Sequence, residues 1–272
     1  MWIDQRFSEW KGGTYVPSAL RRVTQDLEQH YQEPIEAIAQ RYWAMRDREA
    51  SASPVPSNQV GEIYASTDRY LYESSYFEAL AEYQWYFAIV RRACAQYRKT
   101  PVLDFGGGAG GFTLALSQRL PCDYADVPGP TLEYARWRLA RHQRSSNTLD
   151  ATQPLPRERY GAIVTLDVLE HLTDLRATLQ QLVAALRRGG WLITKSTFAP
   201  GDPLHLPQNF PYADFQTFNR LLADFGLTYR GRLRADPISE WRFRAFHAPQ
   251  VWRVWLDPKP KFGGRFVVHQ RS

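Results

Sequence analysis

The chain has 272 residues, 44% hydrophobic and 23% charged, with 34 Lys and Arg against 28 Asp and Glu for a net charge of +6. A chain of this size buries a large core, and such ordinary usage excludes disorder, collagen and coiled coil as descriptions of the whole. No apolar run approaches the ~18–20 residues that span a bilayer. The N-terminal segment lacks the apolar stretch of a signal peptide, so a cytoplasmic protein without a membrane partner is expected. Two cysteines, Cys94 and Cys122, cannot build a disulfide framework, and no cluster in the sequence has the spacing of a metal centre. Only five of the basic residues are lysine. The arginines are scattered rather than gathered in a stripe, which weighs against a nucleic-acid partner.

The predicted elements fall into three stretches. Residues 1–99 read as helical. One helix covers 25–48, with Leu27, Tyr31, Ile35, Ile38 and Tyr42 at spacings of three and four, and Pro34 breaks it in two. Residues 50–59 read as a loop, and a second helix is predicted over 74–96. From residue 100 the character changes. Strands are predicted at 101–105, 122–127, 160–166 and 191–197, with a further short strand ending near Asp150. Helices at 109–120, 131–142 and 175–187 alternate with them. That alternation means βαβ units and a mostly parallel sheet. A helix at 212–225, closed by Gly226, and strands at 227–233, 252–256 and 266–270 complete the chain. A closing β-hairpin is expected through Gly263 and Gly264, or around Pro258 and Pro260.

The strongest motif follows the first strand. Asp104 precedes Gly106, Gly108 and Gly110 at alternate positions, and a helix follows. Glycines there let the backbone turn sharply and approach a ligand. The next strand ends in Asp126, placed to accept hydrogen bonds from two ribose hydroxyls. Asp150, ending the third strand, is placed to accept from an exocyclic adenine amine; the alternatives are a helix cap for Asp126 and a turn for Asp150. No P-loop pattern is present. An acid two residues before the first glycine repels a pyrophosphate and suits a ligand carrying positive charge.

Four segments together resemble the class I S-adenosylmethionine (SAM) dependent methyltransferases. They are 102–116, 126–136, 160–172 and 186–194, in the family's order and spacing. The resemblance implies a Rossmann-like, doubly wound α/β fold with a mostly parallel seven-stranded sheet over 100–272, and residues 1–99 as a helical extension. It implies SAM as cofactor and S-adenosylhomocysteine as product. Asp104 and the backbone of Gly106, Gly108 and Gly110 would hold the methionine part, Asp126 the ribose, and Asp150 with Ala151 the adenine. Leu166 and Asp167 would line the same crevice. Gly129 between Pro128 and Pro130 departs from the family's more polar start to the second helix.

Acceptor residues are sought after the fourth and fifth strands. His171 and His205 are the candidates there for a general base or substrate ligand, with Gln208 and Asn209 beside His205. Tyr70, Tyr72 and Tyr76 would face the sulfonium from a covering lid through cation–π contacts; packing of the helical core is the alternative. The favoured function is methyl transfer to an O or N atom of a small molecule, in the manner of natural-product biosynthesis. The rivals are a non-methylating reaction of SAM, which cyclises or cleaves it, and methylation of RNA or protein. A homodimer through the aromatic N-terminal helices is a further expectation.

Overall fold

The computed structural model describes residues 2–50, 59–200, 204–240, 251, 253–257 and 266–272. Helices α1 (Gln5–Lys11), α2 (Pro17–Tyr31), α3 (Ile35–Ala50), α4 (Val60–Ser66), α5 (Arg69–Ala79) and α6 (Ala81–Ala93) precede the first strand. Asp4 caps α1 by accepting the Phe7 N–H, and Pro17 opens α2, where its missing N–H costs nothing. The break expected at Pro34 separates α2 from α3, with Gln32 left-handed at φ 55°. The single helix expected at 74–96 is instead α5 and α6, meeting at an extended Leu80. The cause is tertiary: the segment around Tyr15 pairs with Leu80, so that Val16 N–H donates to Ala79 O and Ala81 N–H to Thr14 O.

The remaining elements are β1 (Val102–Phe105), α7 (Gly111–Leu116), β2 (Cys122–Asp126), α8 (Pro130–Arg141), β3 (Thr148–Asp150), β4 (Tyr160–Leu166), α9 (Leu175–Ala185), β5 (Leu186–Lys195), α10 (Phe215–Asp224), β6 (Leu227–Ala235), β7 (Val254–Asp257) and β8 (Val267–Arg271). They form one sheet in the order β3-β2-β1-β4-β5-β8-β6-β7. The four pairs from β3 to β5 are parallel and the three from β5 to β7 antiparallel. The fold is the expected Rossmann-like α/β arrangement, with eight strands rather than seven. The additional strand is β7 on the outer edge of β6, where Arg232 meets Asp257 at 3.1 Å. The last two strands do not pair as a hairpin, because β8 inserts between β5 and β6. Its Val267 and Val268 are buried there, whereas β7 is only partly covered. The proposed hairpin turns at 258–265, the Trp252 start of the penultimate strand and the interior of the 50–59 loop lie outside the described residues.

Strand β1 shows how the two faces are filled. Leu103 and Phe105 point to one side, where Leu179 and Leu182 of α9 and Phe218 and Leu222 of α10 pack. Val102 points to the other, against Ile89 and Val90 of α6 and Phe112 and Leu116 of α7. This alternation is the two-residue period of a strand buried on both faces. A third apolar cluster joins α1, α2, α3 and α5 and reaches Ala109 in the glycine loop and Tyr134 on α8. The N-terminal helices therefore pack directly on the carboxyl edge of β1. Arg138 of α8 fastens them. It is fully buried, gives both Nη atoms to Glu78 of α5 at 2.6 and 2.7 Å, and gives Nε to Asp26 of α2 at 2.7 Å.

Candidate active site

Four neighbouring parallel strands each bring a carboxylate to the same edge. Asp104 lies in β1, Asp126 ends β2, Asp150 ends β3 opposite Asp126, and Asp167 follows β4. The loop after β1 turns through left-handed glycines, Gly106 at φ 71° among them. A Cβ on Gly106 would lie 2.5 Å from Val168 Cγ2, so close approach as well as conformation requires glycine there. Ser74 of α5 covers the loop and accepts the Ala109 N–H at 3.1 Å.

Asp104 is 2% exposed and accepts the Thr113 hydroxyl at 2.7 Å. Burial, with Asp126 nearby, pushes its carboxyl up to about 7. Asp126 is half-buried and accepts N–H groups from Gly108 and Val127, each at 2.8 Å, and the Tyr124 hydroxyl at 3.2 Å. Burial pushes it up to about 6, against the pull of those donors. Asp150 bends back on Thr152, accepting its N–H at 2.8 Å and its hydroxyl at 2.6 Å, while the half-buried Ala151 donates its N–H to Asp126 O. Asp150 thus forms the turn that was its alternative reading, beside the Asp126 backbone. Leu166 is half-buried at the end of β4. Asp167 is left-handed at φ 52°, and its carboxylate takes Lys195 Nζ at 2.6 and 2.8 Å and the Tyr83 hydroxyl at 3.0 Å. A non-glycine residue held there is strained by about 1–3 kcal/mol, as is common at functional sites.

A pH dependence follows. A carboxyl whose pKa is higher folded than unfolded binds more protons in the native state, so stability falls as pH rises between the two values. For Asp104 and Asp126 that window runs from about pH 4 to about 6–7. The thermal midpoint of the free protein is expected to fall across it, and Asp104→Asn to flatten the slope. A cationic ligand favours both ionised forms, so the midpoint rise it produces should grow over the same range. Scanning calorimetry with and without ligand measures both.

Beyond β4 and β5, a short 3₁₀ helix (Leu169–His171) meets the loop carrying His205. The two imidazole centroids are 4.9 Å apart, and the Tyr64 ring lies 5.7 Å from that of His171. His171 Nδ1 is 3.0 Å from Leu204 O and His205 Nδ1 2.6 Å from Ala199 O. A carbonyl only accepts, so each Nδ1 carries a proton and Nε2 of the neutral ring is left as an acceptor. Glu170 is buried, with Oε1 accepting the Thr197 N–H at 2.7 Å. Burial, then the Asp167 charge, raises its carboxyl. Asn209 is 2% exposed and spends its amide on the carbonyls of Leu169, Glu170 and Leu172; it pins the loop, while Gln208 is exposed.

The tyrosine expectation is corrected at two positions. Tyr72 is stacked on Tyr42 and on Tyr76, with centroids 4.4 and 4.6 Å away, and gives its hydroxyl to Asp4 at 2.6 Å. Tyr76 is fully buried among Tyr72, Phe7 and Tyr15. Neither leaves a ring face for a sulfonium; both belong to the helical core. Tyr70 is half-buried, 4.2 Å from Tyr64, on the side of the histidine pair. Sequence reasoning missed Ser74, Tyr83 and Lys195. Each reaches the edge from a different element, so no local spacing announces it. Gly129, the departure from family pattern, has a local cause. A Cβ there would sit 2.4 Å from Ala65 O of α4, and Pro130 opens α8.

Asp104 and Asp126 over a glycine backbone suit a ligand with a cationic centre and vicinal hydroxyls. The methyltransferase domain family matches residues 75–230. A SAM-dependent methyltransferase of Thermotoga maritima, described as a possible histamine N-methyltransferase, is 14% identical, with 78% of this chain and 99% of that one covered and a TM-score of 0.51. A geranyl diphosphate methyltransferase solved with SAM is 16% identical, with 74% and 90% covered and a TM-score of 0.46. No curated protein matches the chain. With more than half of its length matched, the chain belongs to the class I SAM-dependent methyltransferase family, and SAM is its cofactor.

Proposed function

We propose that the protein transfers a methyl group from SAM to an oxygen or nitrogen atom of a small molecule, with the N-terminal helices as a lid over both substrates. The residues present fit SAM: Asp126 offers the ribose an acceptor, Asp104 opposes positive charge, and the glycine backbone leaves room for close approach. SAM supplies an activated methyl group, taken by a nucleophile aligned behind it. Alignment in a closed site then provides much of the rate. The observation that carries a small acceptor is the half-buried pair His171 and His205, beside Tyr64 and the buried Leu204 and Leu206. An apolar wall with two hydrogen-bonding nitrogens suits a ring or chain bearing one hydroxyl or amine. The Nε2 atoms are placed for the proton which that group loses.

Incubation with SAM and a panel of phenols and amines, followed by mass spectrometry, tests the reading. Methylated product with S-adenosylhomocysteine is expected, and His205→Ala should slow turnover about 10²–10⁴-fold with SAM affinity unchanged. SAM consumed without any acceptor, giving methylthioadenosine, would move the assignment to a non-methylating reaction.

A further inference from the structure

Glu170 and His171, from the short 3₁₀ helix after β4, and His205, from the loop after β5, reach one point. One donor atom from each lies within 4.8 Å of the other two, the one such trio among the described residues. Both histidines hold Nδ1 on a backbone carbonyl, which fixes the tautomer and aims a lone pair from Nε2, as in metal-binding histidines. The carboxylate supplies an independent observation. Glu170 is 1% exposed, and its Oε2 is buried with no hydrogen-bond partner. A buried carboxylate oxygen left unpaired is costly, and a cation satisfies it. Asp167, whose charge acts on Glu170, is already taken by Lys195 and Tyr83, so among the described residues Glu170 is the anionic donor at this point.

We propose that Glu170, His171 and His205 bind one divalent first-row transition cation, through a carboxylate oxygen and Nε2 of each ring. Two imidazoles and one carboxylate select zinc, manganese, iron, cobalt or nickel over magnesium or calcium, which prefer all-oxygen shells. Donors about 2.1 Å from one ion are at most about 4.2 Å apart. The trio closes by at most about 0.6 Å on loading, within reach of two half-buried rings. Three protein ligands leave coordination positions open. Resting on the methyl-transfer reading, an open position takes the acceptor's hydroxyl oxygen and lowers its pKa. With both Nε2 lone pairs on the ion, the histidines would act through it rather than as proton acceptors, and the proton would pass to solvent.

The test reads the metal itself, without SAM or acceptor. Protein stripped with chelator and dialysed is titrated with Co²⁺ while the visible d–d absorption is followed. Saturation at one ion per chain is expected. Glu170→Gln, His171→Ala and His205→Ala should each weaken binding at least tenfold, with circular dichroism and SAM affinity retained. Absence of saturable absorption in the wild type, or binding unchanged in all three variants, overturns the site. Neither result bears on methyl transfer, which the acceptor screen decides by itself.

Discussion

Replacing Arg138 with Met is expected to lower stability by about 3–5 kcal/mol, the largest loss we foresee from a single change. The guanidinium has no exposed surface and meets two carboxylates that are themselves 1% and 2% exposed. Burial pushes the Asp26 carboxyl up, but Arg138 and His142 outweigh this and hold it below the usual range. Removing the cation leaves Asp26 with Arg141 at 3.1 Å and His142 at 2.9 Å, both partly in solvent, and Glu78 with Arg22 at 3.6 Å. Neither substitute reproduces a bidentate fork in a dry interior. Nη1 also holds Ala109 O at 2.9 Å, so the glycine loop loses a support. For a chain of this size the loss corresponds to roughly 6–20 °C in thermal midpoint. Urea unfolding checks it, and a cost under about 1 kcal/mol would mean that the network contributes little beyond packing.

Asp126→Ala should weaken SAM binding at least tenfold while the fold persists. Two hydrogen bonds to a charged group contribute about 1.5–3 kcal/mol each. The same carboxylate gathers Gly108, Val127 and Tyr124, so alanine also frees the loop that must lie against the ligand. Asp126→Asn keeps an acceptor oxygen and should fall between wild type and alanine. Asp150→Ala should cost less, since that side chain is satisfied by Thr152 at the sheet edge. Calorimetric titration of the three variants gives the order; unchanged affinity in Asp126→Ala would refute the ribose assignment.

What could be read from the chain was what depends on neighbours in sequence. The β1–glycine loop–α7 unit and the buried run of β4 are local patterns, and the structure places both where expected. The break at Leu80 depends on pairing with a segment more than sixty residues earlier, where helical periodicity is silent. The start of β5 was hidden similarly: Leu186 pairs with Tyr160, then a bulge precedes Trp191, and the run before it reads as helix. Insertion of β8 between β5 and β6 is a choice among apolar strands of similar composition. The cluster of Glu170, His171 and His205 is invisible to spacing because its third member arrives from the loop after β5. Tyr72 and Tyr76 were misplaced for the opposite reason, since an aromatic stripe looks the same whether it faces a ligand or a core.

The buried triad of Asp26, Glu78 and Arg138 also constrains how this chain can change through descent. No member can be lost alone without stranding charge, yet a coordinated exchange of all three for apolar residues of similar volume is neutral or stabilising in such settings. Sequences related to this one should therefore keep the three positions as a charged set or replace them together, and mixed combinations should be rare.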